Sequence, residues 1–482
     1  MPNTAKQARN IIKKSKIAFG TSGARGLVEQ FTDTTCAAFT VAFLAEMQAM
    51  FSFKSVAIAI DRRPSSPQMA AAIAGACKSL GLTADYYGVL PTPALALQAM
   101  ADGVPAIMVT GSHIPFDRNG IKFYRPDGEI SKADEQAILN SEAELRDYEA
   151  TLPTLSERAK THYIERYTSL YANTALADLR IGLYEHSAAG RDINRAIFEA
   201  LGATVVSLGR TETFVPIDTE AVSEEDKIRG RQWAKEHRLD AIFSTDGDGD
   251  RPLLADETGE WLRGDILGLL CAKELGIEAL AVPVSCNTAI ELCEAFKTVT
   301  RTKIGSPYVI EAMETLNRKY DSVAGFEANG GFLTGSDLHT GTSNLKALPT
   351  RDAILPALVA LTAARRQNQP LSRSLAELPK RYTASDRIKD FPTAKSKELI
   401  AAWKANPASL KDDLGLSDDV RTVDFTDGLR ATLKNDQIVH LRPSGNAPEL
   451  RCYCEGESSE ATEWLLRSCL QALHSQIQLI SP

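Results

Sequence analysis

Asp240-Ala-Ile-Phe-Ser-Thr-Asp-Gly-Asp-Gly-Asp-Arg251 is the stretch on which the reading of this chain turns. Its first part, Asp240–Ser244, is a short apolar run that predicts a buried strand. Its second part sets Asp246, Asp248 and Asp250 at alternate positions between glycines, so three carboxylates can converge on one side of a tight loop. Held that close without a cation they would repel one another and their pKa values would rise. A hard divalent ion resolves the repulsion. An EF-hand is the rival: the three aspartates fit positions one, three and five, and Glu257 falls at position twelve. Position six, however, needs glycine and carries Arg251, and the loop follows a strand, not a helix. A solvated acidic turn is the plain alternative. Three protein carboxylates leave room for a phosphate oxygen on the ion, as Mg²⁺ prefers. Arg251 can then pair with the same phosphoryl group.

Three further loops follow the same pattern of an apolar run opening into a glycine-containing turn. Ala106–Val109 leads into Thr110-Gly-Ser-His-Ile-Pro115. A serine at such a strand end can be a nucleophile or a phosphoryl carrier, and a turn-capping serine reads equally well. His113 reads as an orienting group, because neighbours in an extended loop point apart. Lys122, just beyond, is either a solvated lysine or, near a phosphoserine, a stabiliser of anionic oxygens, or an acid/base if its pKa were lowered. Gly325-Phe-Glu-Ala-Asn-Gly-Gly331 alternates Glu327 and Asn329. An acceptor beside an amide suits adjacent hydroxyls, although alone it reads as a polar turn. Arg442-Pro-Ser-Gly-Asn-Ala-Pro448 offers a fork for phosphate in Arg442 and an anion nest from Ser444, Gly445 and Asn446. Arg25, in Phe19-Gly-Thr-Ser-Gly-Ala-Arg-Gly26, can reach the same anion. No GxxxxGK[ST] occurs, so a P-loop is excluded.

With 482 residues, three or four domains are expected. Alternating strand-like and helix-like segments argue for α/β layers. A polar, helix-prone stretch over Ser131–Tyr148 leads to Pro153 and places a first boundary there. The resulting divisions are 1–153, 154–260, 261–372 and 373–482. The last has short strands at Thr422–Phe425, Arg430–Leu433 and Ile438–Leu441, then a helix over Ser459–Ser475, which reads as an α+β cap.

A net charge of −8 argues against nucleic acid and anionic membranes as partners, and means that an anionic substrate must be drawn in by local arginines. The eight cysteines form no CxxC pair and read as buried reduced thiols, Cys452 and Cys454 on one strand face. No signal-peptide core or apolar run of membrane-spanning length is present, which with the reduced thiols predicts a cytoplasmic protein.

Together and in order, the Thr-Gly-Ser-His, Asp-Gly-Asp-Gly-Asp-Arg, Gly-Phe-Glu-Ala-Asn-Gly and Arg-Pro-Ser-Gly-Asn segments resemble the α-D-phosphohexomutase family, from Phe19 to Glu455. The resemblance implies an α/β protein of four domains around one cleft, three related α/β domains and a smaller C-terminal α+β cap. It implies Ser112 as phosphoserine, with Mg²⁺ held by Asp246, Asp248, Asp250 and the Ser112 phosphate. It implies Glu327 and Asn329 as sugar readers, and Arg442, Ser444, Gly445 and Asn446 as binders of the non-reacting phosphate. Arg25, His113, Lys122 and Arg251 line the reaction centre. The implied reaction interconverts hexose 6-phosphate and hexose 1-phosphate through a hexose 1,6-bisphosphate that is also the activator. The serine and sugar loops most resemble the phosphomannomutases. A glucose or dual-specificity enzyme, a bisphosphate synthase and a silent sugar-phosphate binder are the alternatives. A monomer or weak homodimer is expected, with a hinge near Leu375–Tyr382. Departures from the family pattern fall at Ile114, Asn329, Gly331, Asn446 and Ser306.

Overall fold

The computed structural model describes residues 6–20, 23–340, 343–444 and 448–478. Two of the phosphate-loop expectations, Gly445 and Asn446, lie outside the described residues.

The first sheet runs, in spatial order, Ala18–Phe19, Ala24–Leu27, Arg118–Arg125, Ala106–Val109, Ser55–Ile60 and Thr83–Val89. Ala106–Val109, Ser55–Ile60 and Thr83–Val89 are parallel, and Arg118–Arg125 returns antiparallel beside Ala106–Val109. The second sheet places Arg180–Tyr184 parallel to both Ala241–Thr245 and Thr204–Leu208, with Pro252–Ala255 antiparallel at one edge. The third places Ala279–Pro283 between Thr298–Thr302 and Val323–Phe326, all parallel, followed by Phe332–Thr334 and Leu348–Asp352 antiparallel. The three share one device. A buried parallel strand ends in a loop, and an antiparallel strand carries the chain back. The loops are the serine, aspartate and sugar loops, each at the carboxyl end of its strand, where open α/β sheets place their ligands. The fourth sheet, Tyr382–Ile388, Leu450–Gly456, Ile438–Pro443, Leu429–Leu433 and Val420–Asp424, is antiparallel throughout.

The strands are where their sequences put them. Ala106-Ile-Met-Val109 and Ala241-Ile-Phe-Ser-Thr245 are buried at every position, as strands covered on both faces must be. Strand Leu429–Leu433 alternates buried and half-buried residues, the pattern of a sheet with one covered face.

The helix expected over Ser131–Tyr148 is shorter than its polarity suggests. It covers Lys132–Asn140 and starts in a capping box in which Ser131 and Asp134 satisfy each other's backbone N–H groups. Beyond Asn140 the chain pairs with the N-terminal segment: Leu145 N donates to Lys6 O, Ala8 N to Ala143 O, and Leu145 is buried. These tertiary bonds outweigh the local helix preference.

One continuous apolar core runs through the first three sheets, joining Leu95, Tyr163, Phe198, Phe243, Leu270, Phe326 and Leu358. Buried Asp352 accepts from Tyr163 Oη at 2.7 Å and from Tyr167, tying the helix Arg158–Thr168 to the third sheet. The fourth sheet packs on its own core of Trp403, Leu441, Cys452, Leu465 and Cys469. Polar contacts attach it to the rest. Glu455, which also accepts from Arg381 Nε within the same unit, accepts from Thr288 N and Oγ1, and Asp427 Oδ2 accepts from Ile304 N at 3.0 Å. Cys452 and Cys454 lie on the buried face, Sγ atoms 3.9 Å apart, and all eight cysteines are free thiols.

Candidate active site

Ser112 sits in the left-handed region with φ 54°. A non-glycine residue there is held by its surroundings against its own preference. The holder is a side chain that reading the sequence did not single out. Arg63, wholly buried, donates through Nη2 to Ser112 O at 3.0 Å and to Ile114 O at 2.5 Å. Through Nη1 it donates to Pro115 O at 2.7 Å and Arg118 O at 2.9 Å. Its Nε meets Asp61 Oδ2 at 3.2 Å, and that carboxylate also accepts from Thr110 Oγ1 and Gly111 N. Phe214 covers the guanidinium 3.9 Å from its ring centre. The glycine at 111 is required by this approach, since a Cβ there would stand 2.6 Å from Arg63 Cζ.

The turn at Ser112 also corrects the expectation that His113 points away from it. The loop is not extended at that residue, and His113 Nδ1 lies 3.2 Å from both Ser112 Oγ and Arg251 Nη1. Burial, with Arg251 and Arg25 close by, drives the His113 pKa down to about 2, so the ring is neutral.

Across from it, the aspartate loop approaches so closely that a Cβ on Gly247 would lie 2.7 Å from Ser112 O. Ser112 Oγ donates to Asp246 Oδ2 at 2.6 Å. Thr92 Oγ1 donates to Asp248 Oδ2 at 2.7 Å, and Lys122 Nζ bridges Asp248 Oδ2 and Asp250 Oδ2 at 2.6 and 2.7 Å. Asp246, Asp248 and Asp250 are buried, with one carboxylate oxygen from each lying within 4.8 Å of the others. Burial and the other two carboxylates push Asp246 well above the usual range. Asp248 is also subject to burial, but the Lys122 ion pair holds it well below that range. Burial alone would lower Lys122; Asp248 and Asp250 raise it instead, so its ammonium stays charged.

The residues present fit a hard divalent cation. Asp248 Oδ1 and Asp250 Oδ1 are buried with no hydrogen-bond partner. An oxygen-only set of three carboxylates is a ligand set for such an ion, and the lysine already sits where positive charge is needed.

The sugar loop joins the same network through Arg351, another residue that the sequence did not announce. Its Nη2 donates to Asp250 Oδ2 at 2.9 Å and its Nη1 to Glu327 Oε2 at 2.9 Å. Asn329 is buried, its Oδ1 accepting from Gly331 N at 3.0 Å, and its carbonyl accepts from Thr219 Oγ1. Glu129 accepts from Ser306 and Thr350 at 2.7 Å each, closing the wall between the first and third sheets. Arg442 lies across the cleft on strand Ile438–Pro443, its Nε 2.8 Å from Asp427 Oδ2. The cleft is lined by Arg25, His113, Arg251, Glu327, Asn329, Arg442 and Ser444 together. Ser112 and Lys122 sit behind that lining with the aspartates. Burial and Arg251 bring Arg25 down to about 10, which leaves it charged at neutral pH.

Four family models match the chain in succession: phosphoglucomutase/phosphomannomutase alpha/beta/alpha domain I over residues 16–149, domain II over 161–259, domain III over 263–382, and the C-terminal domain over 370–467. The chain belongs to the phosphoglucomutase/phosphomannomutase family. It is an α-D-phosphohexomutase, a hexose-phosphate mutase of the isomerase class. It is 54% identical to a phosphomannomutase of Salmonella muenchen over 469 residues, covering 97% of this chain and 98% of that one. It is 44% identical to a phosphomannomutase of Sinorhizobium fredii over 470 residues, covering 95% and 99%. A solved phosphoglucomutase/phosphomannomutase family protein from Burkholderia thailandensis shares the fold, with TM-score 0.75 and 19% identity over 94% of this chain and 97% of that one. Among the described residues no helix is long and apolar enough to cross a membrane.

Proposed function

We propose that this mutase interconverts mannose 6-phosphate and mannose 1-phosphate by passing a phosphoryl group through Ser112. The observation that carries the reading is Ser112 Oγ seated 2.6 Å from Asp246 Oδ2, at the mouth of a three-carboxylate site and below the cleft that Arg442 faces. Phosphorylated Ser112 would donate to the free hydroxyl of a hexose monophosphate. The Ser112 Oγ–phosphorus bond breaks, a bond from phosphorus to the sugar oxygen forms, and the hydroxyl proton is replaced, in net, by one on Ser112 Oγ. The hexose 1,6-bisphosphate so made turns end for end and returns its other phosphate to Ser112. The same bisphosphate would re-prime an enzyme that has lost its phosphate.

Asp246, Asp248 and Asp250 would hold Mg²⁺ beside the Ser112 phosphate. Bound there, the ion supplies positive charge to the transferring group. Arg25 and Arg251 add fixed charge on the open side of the cleft. Lys122, held protonated between two aspartates, would give a proton to Ser112 Oγ when the serine releases its phosphoryl group and take it back when the bisphosphate returns one. Arg442 and Ser444, with Gly445 and Asn446, would grip the phosphate that is not reacting.

Glu327, fixed by Arg351, and Asn329, fixed by its own loop, would read the 3- and 4-hydroxyls that mannose and glucose share. The choice of mannose rests on the phosphomannomutase relatives at 54% and 44% identity. Matched assays on mannose, glucose and galactose 1-phosphates test it. The expected order is mannose above glucose, with galactose poor because its inverted 4-hydroxyl leaves a buried polar partner unpaired. A preference for glucose of more than about tenfold would overturn the mannose assignment. Equal use of galactose would remove Glu327 and Asn329 from hydroxyl reading.

A further inference from the structure

The loop between strand Thr204–Leu208 and helix Glu224–His237 leaves the second sheet at the same end as the aspartate loop, since both strands run parallel to Arg180–Tyr184. It touches each of the three loops that the strands carry. Phe214 covers Arg63, the holder of the serine loop, and a Cβ on Gly247 of the aspartate loop would stand 3.2 Å from its ring. Val215 N donates to Ser187 Oγ at 2.8 Å, and Ile217 is buried in the core of the second sheet. Thr219 is buried too, and its Oγ1 donates to Asn329 O of the sugar loop at 3.3 Å. The alternate residues Asp218 and Glu220 are exposed. Asp218 Oδ1 accepts from Glu220 N at 3.0 Å and Ala221 N at 3.3 Å, which fixes the backbone at that point. Glu220 lines the cleft together with Arg251, Arg263, Glu327 and Asn329. It is open to the cleft, but the walls around it take it out of bulk water, and that burial raises its carboxyl above the ordinary value against the pull of Arg251. A carboxylate so placed needs donors. The arginines near it have carboxylates of their own. Arg251 lies 3.7 Å from Asp250 and 3.9 Å from Asp246, and Arg263 lies 3.3 Å from Asp265. Among the described residues the Glu220 carboxylate forms neither an ion pair nor a hydrogen bond.

We infer that Glu220, lining the cleft on a loop tied to the sugar loop, accepts a hydrogen bond from the 2-hydroxyl of the hexose and so separates mannose from glucose. The inference rests on the mutase reading above. Glu327 and Asn329 take the 3- and 4-hydroxyls, and C1 and C6 carry the phosphate and the reacting hydroxyl. The 2-hydroxyl is the donor left over, and it is where the two sugars differ. Axial and equatorial hydroxyls on one carbon point in different directions. Thr219 holds Glu220 in place against the loop that holds the sugar, so one carboxylate position suits one configuration and leaves the other unpaired. Turning exchanges the ends of the sugar, so the contact is made in one of the two orientations, and one of the two monophosphates shows it.

The test pairs the residue with the hydroxyl. Full-length Ser112→Ala enzyme, which binds without turning over, is titrated calorimetrically with mannose 1- and 6-phosphates and with the 2-deoxyglucose 1- and 6-phosphates that lack the hydroxyl. For one of the two positions, mannose should bind at least about tenfold more tightly than the 2-deoxy sugar. Adding Glu220→Ala should bring that ratio to about one, and Glu220→Gln, which keeps an acceptor of similar reach, should fall between. In enzyme with Ser112 intact, Glu220→Ala should narrow the preference for mannose over glucose in kcat/KM by a similar factor. Melting temperatures near wild type exclude misfolding. A mannose to 2-deoxy ratio that Glu220→Ala leaves unchanged, whether all the sugars weaken together or none does, would overturn the contact and leave the mutase reading standing. A ratio that collapses while the mannose preference persists would overturn the discriminating role. Failure of enzyme with Ser112 intact to convert any hexose phosphate would overturn the mutase reading, and this inference with it.

Discussion

At the scale of single residues, the site is held by side chains that do no chemistry. Arg63 fastens four carbonyls of the serine loop, and its partner Asp61 fastens the strand end from which that loop leaves. Removing one member of a buried ion pair leaves the other unpaired, at a cost of about 3–5 kcal/mol. Arg63→Ala should therefore lower the unfolding free energy by about that amount and reduce phosphorylation of Ser112, measured by urea denaturation and by peptide mass. Native stability would refute this account of the loop. Neither residue was legible beforehand. Asp61-Arg-Arg63 looks like the polar end of a strand, and its importance arises from contacts 49 to 55 residues away. Ser112, the aspartates and Arg442 were legible, because each stands where an apolar strand runs into a short glycine-containing loop, Arg442 among the last paired residues of its strand and the others in the loop itself. The His113 contact was not, because it depends on a positive φ at Ser112.

At the scale of elements, the aspartate loop is supported by its neighbours in the second sheet. His186 Nε2 donates to Thr245 O at 2.9 Å, and the ring is wholly buried. Burial brings its pKa down to about 4, against about 6.5 in an unfolded chain. Between those values the unfolded state takes up the proton first, so stability should fall as pH drops from about 6.5 to about 4 and level off below. The contribution is at most about 3 kcal/mol. His440, also near 4, adds to the same window in the fourth sheet. Urea titrations of wild type and His186→Gln across that range should show a shallower slope for the variant, and parallel slopes would contradict the assignment. In the loop itself, Asp248→Asn removes one of three charges and one of the two carboxylates that hold Lys122. With Lys122 still held by Asp250, the variant should weaken Mg²⁺ binding by at least about tenfold and abolish most turnover, with metal binding read by calorimetry. Strand positions were legible here because full burial and one-sided burial leave different patterns. The end of the helix Lys132–Asn140 was not, because pairing of the following segment with Lys6 and Ala8 decides it.

At the scale of the whole molecule, one core unites the first three sheets, whereas the fourth is fastened by hydrogen bonds from Thr288 to Glu455 and from Ile304 to Asp427. Polar attachments of that kind open more readily than an apolar core. Glu455→Ala should leave Thr288 and Arg381 unsatisfied, favour an open cleft by about 1–3 kcal/mol, and raise KM for hexose phosphate while expanding the particle in small-angle scattering. The four loops and the α/β-plus-cap layout could be read from the chain, because each loop carries its own local signal. The continuity of the core, and the Arg351 bridge from Asp250 to Glu327, could not, because they exist only once distant strands have met. The central claim is that Ser112 carries the phosphoryl group between substrate and product. Enzyme charged with labelled hexose 1,6-bisphosphate should bear label on the Ser112 peptide alone and surrender it to added hexose 6-phosphate with recovery of labelled hexose 1-phosphate. Label on another residue, or full turnover by Ser112→Ala, would contradict the claim.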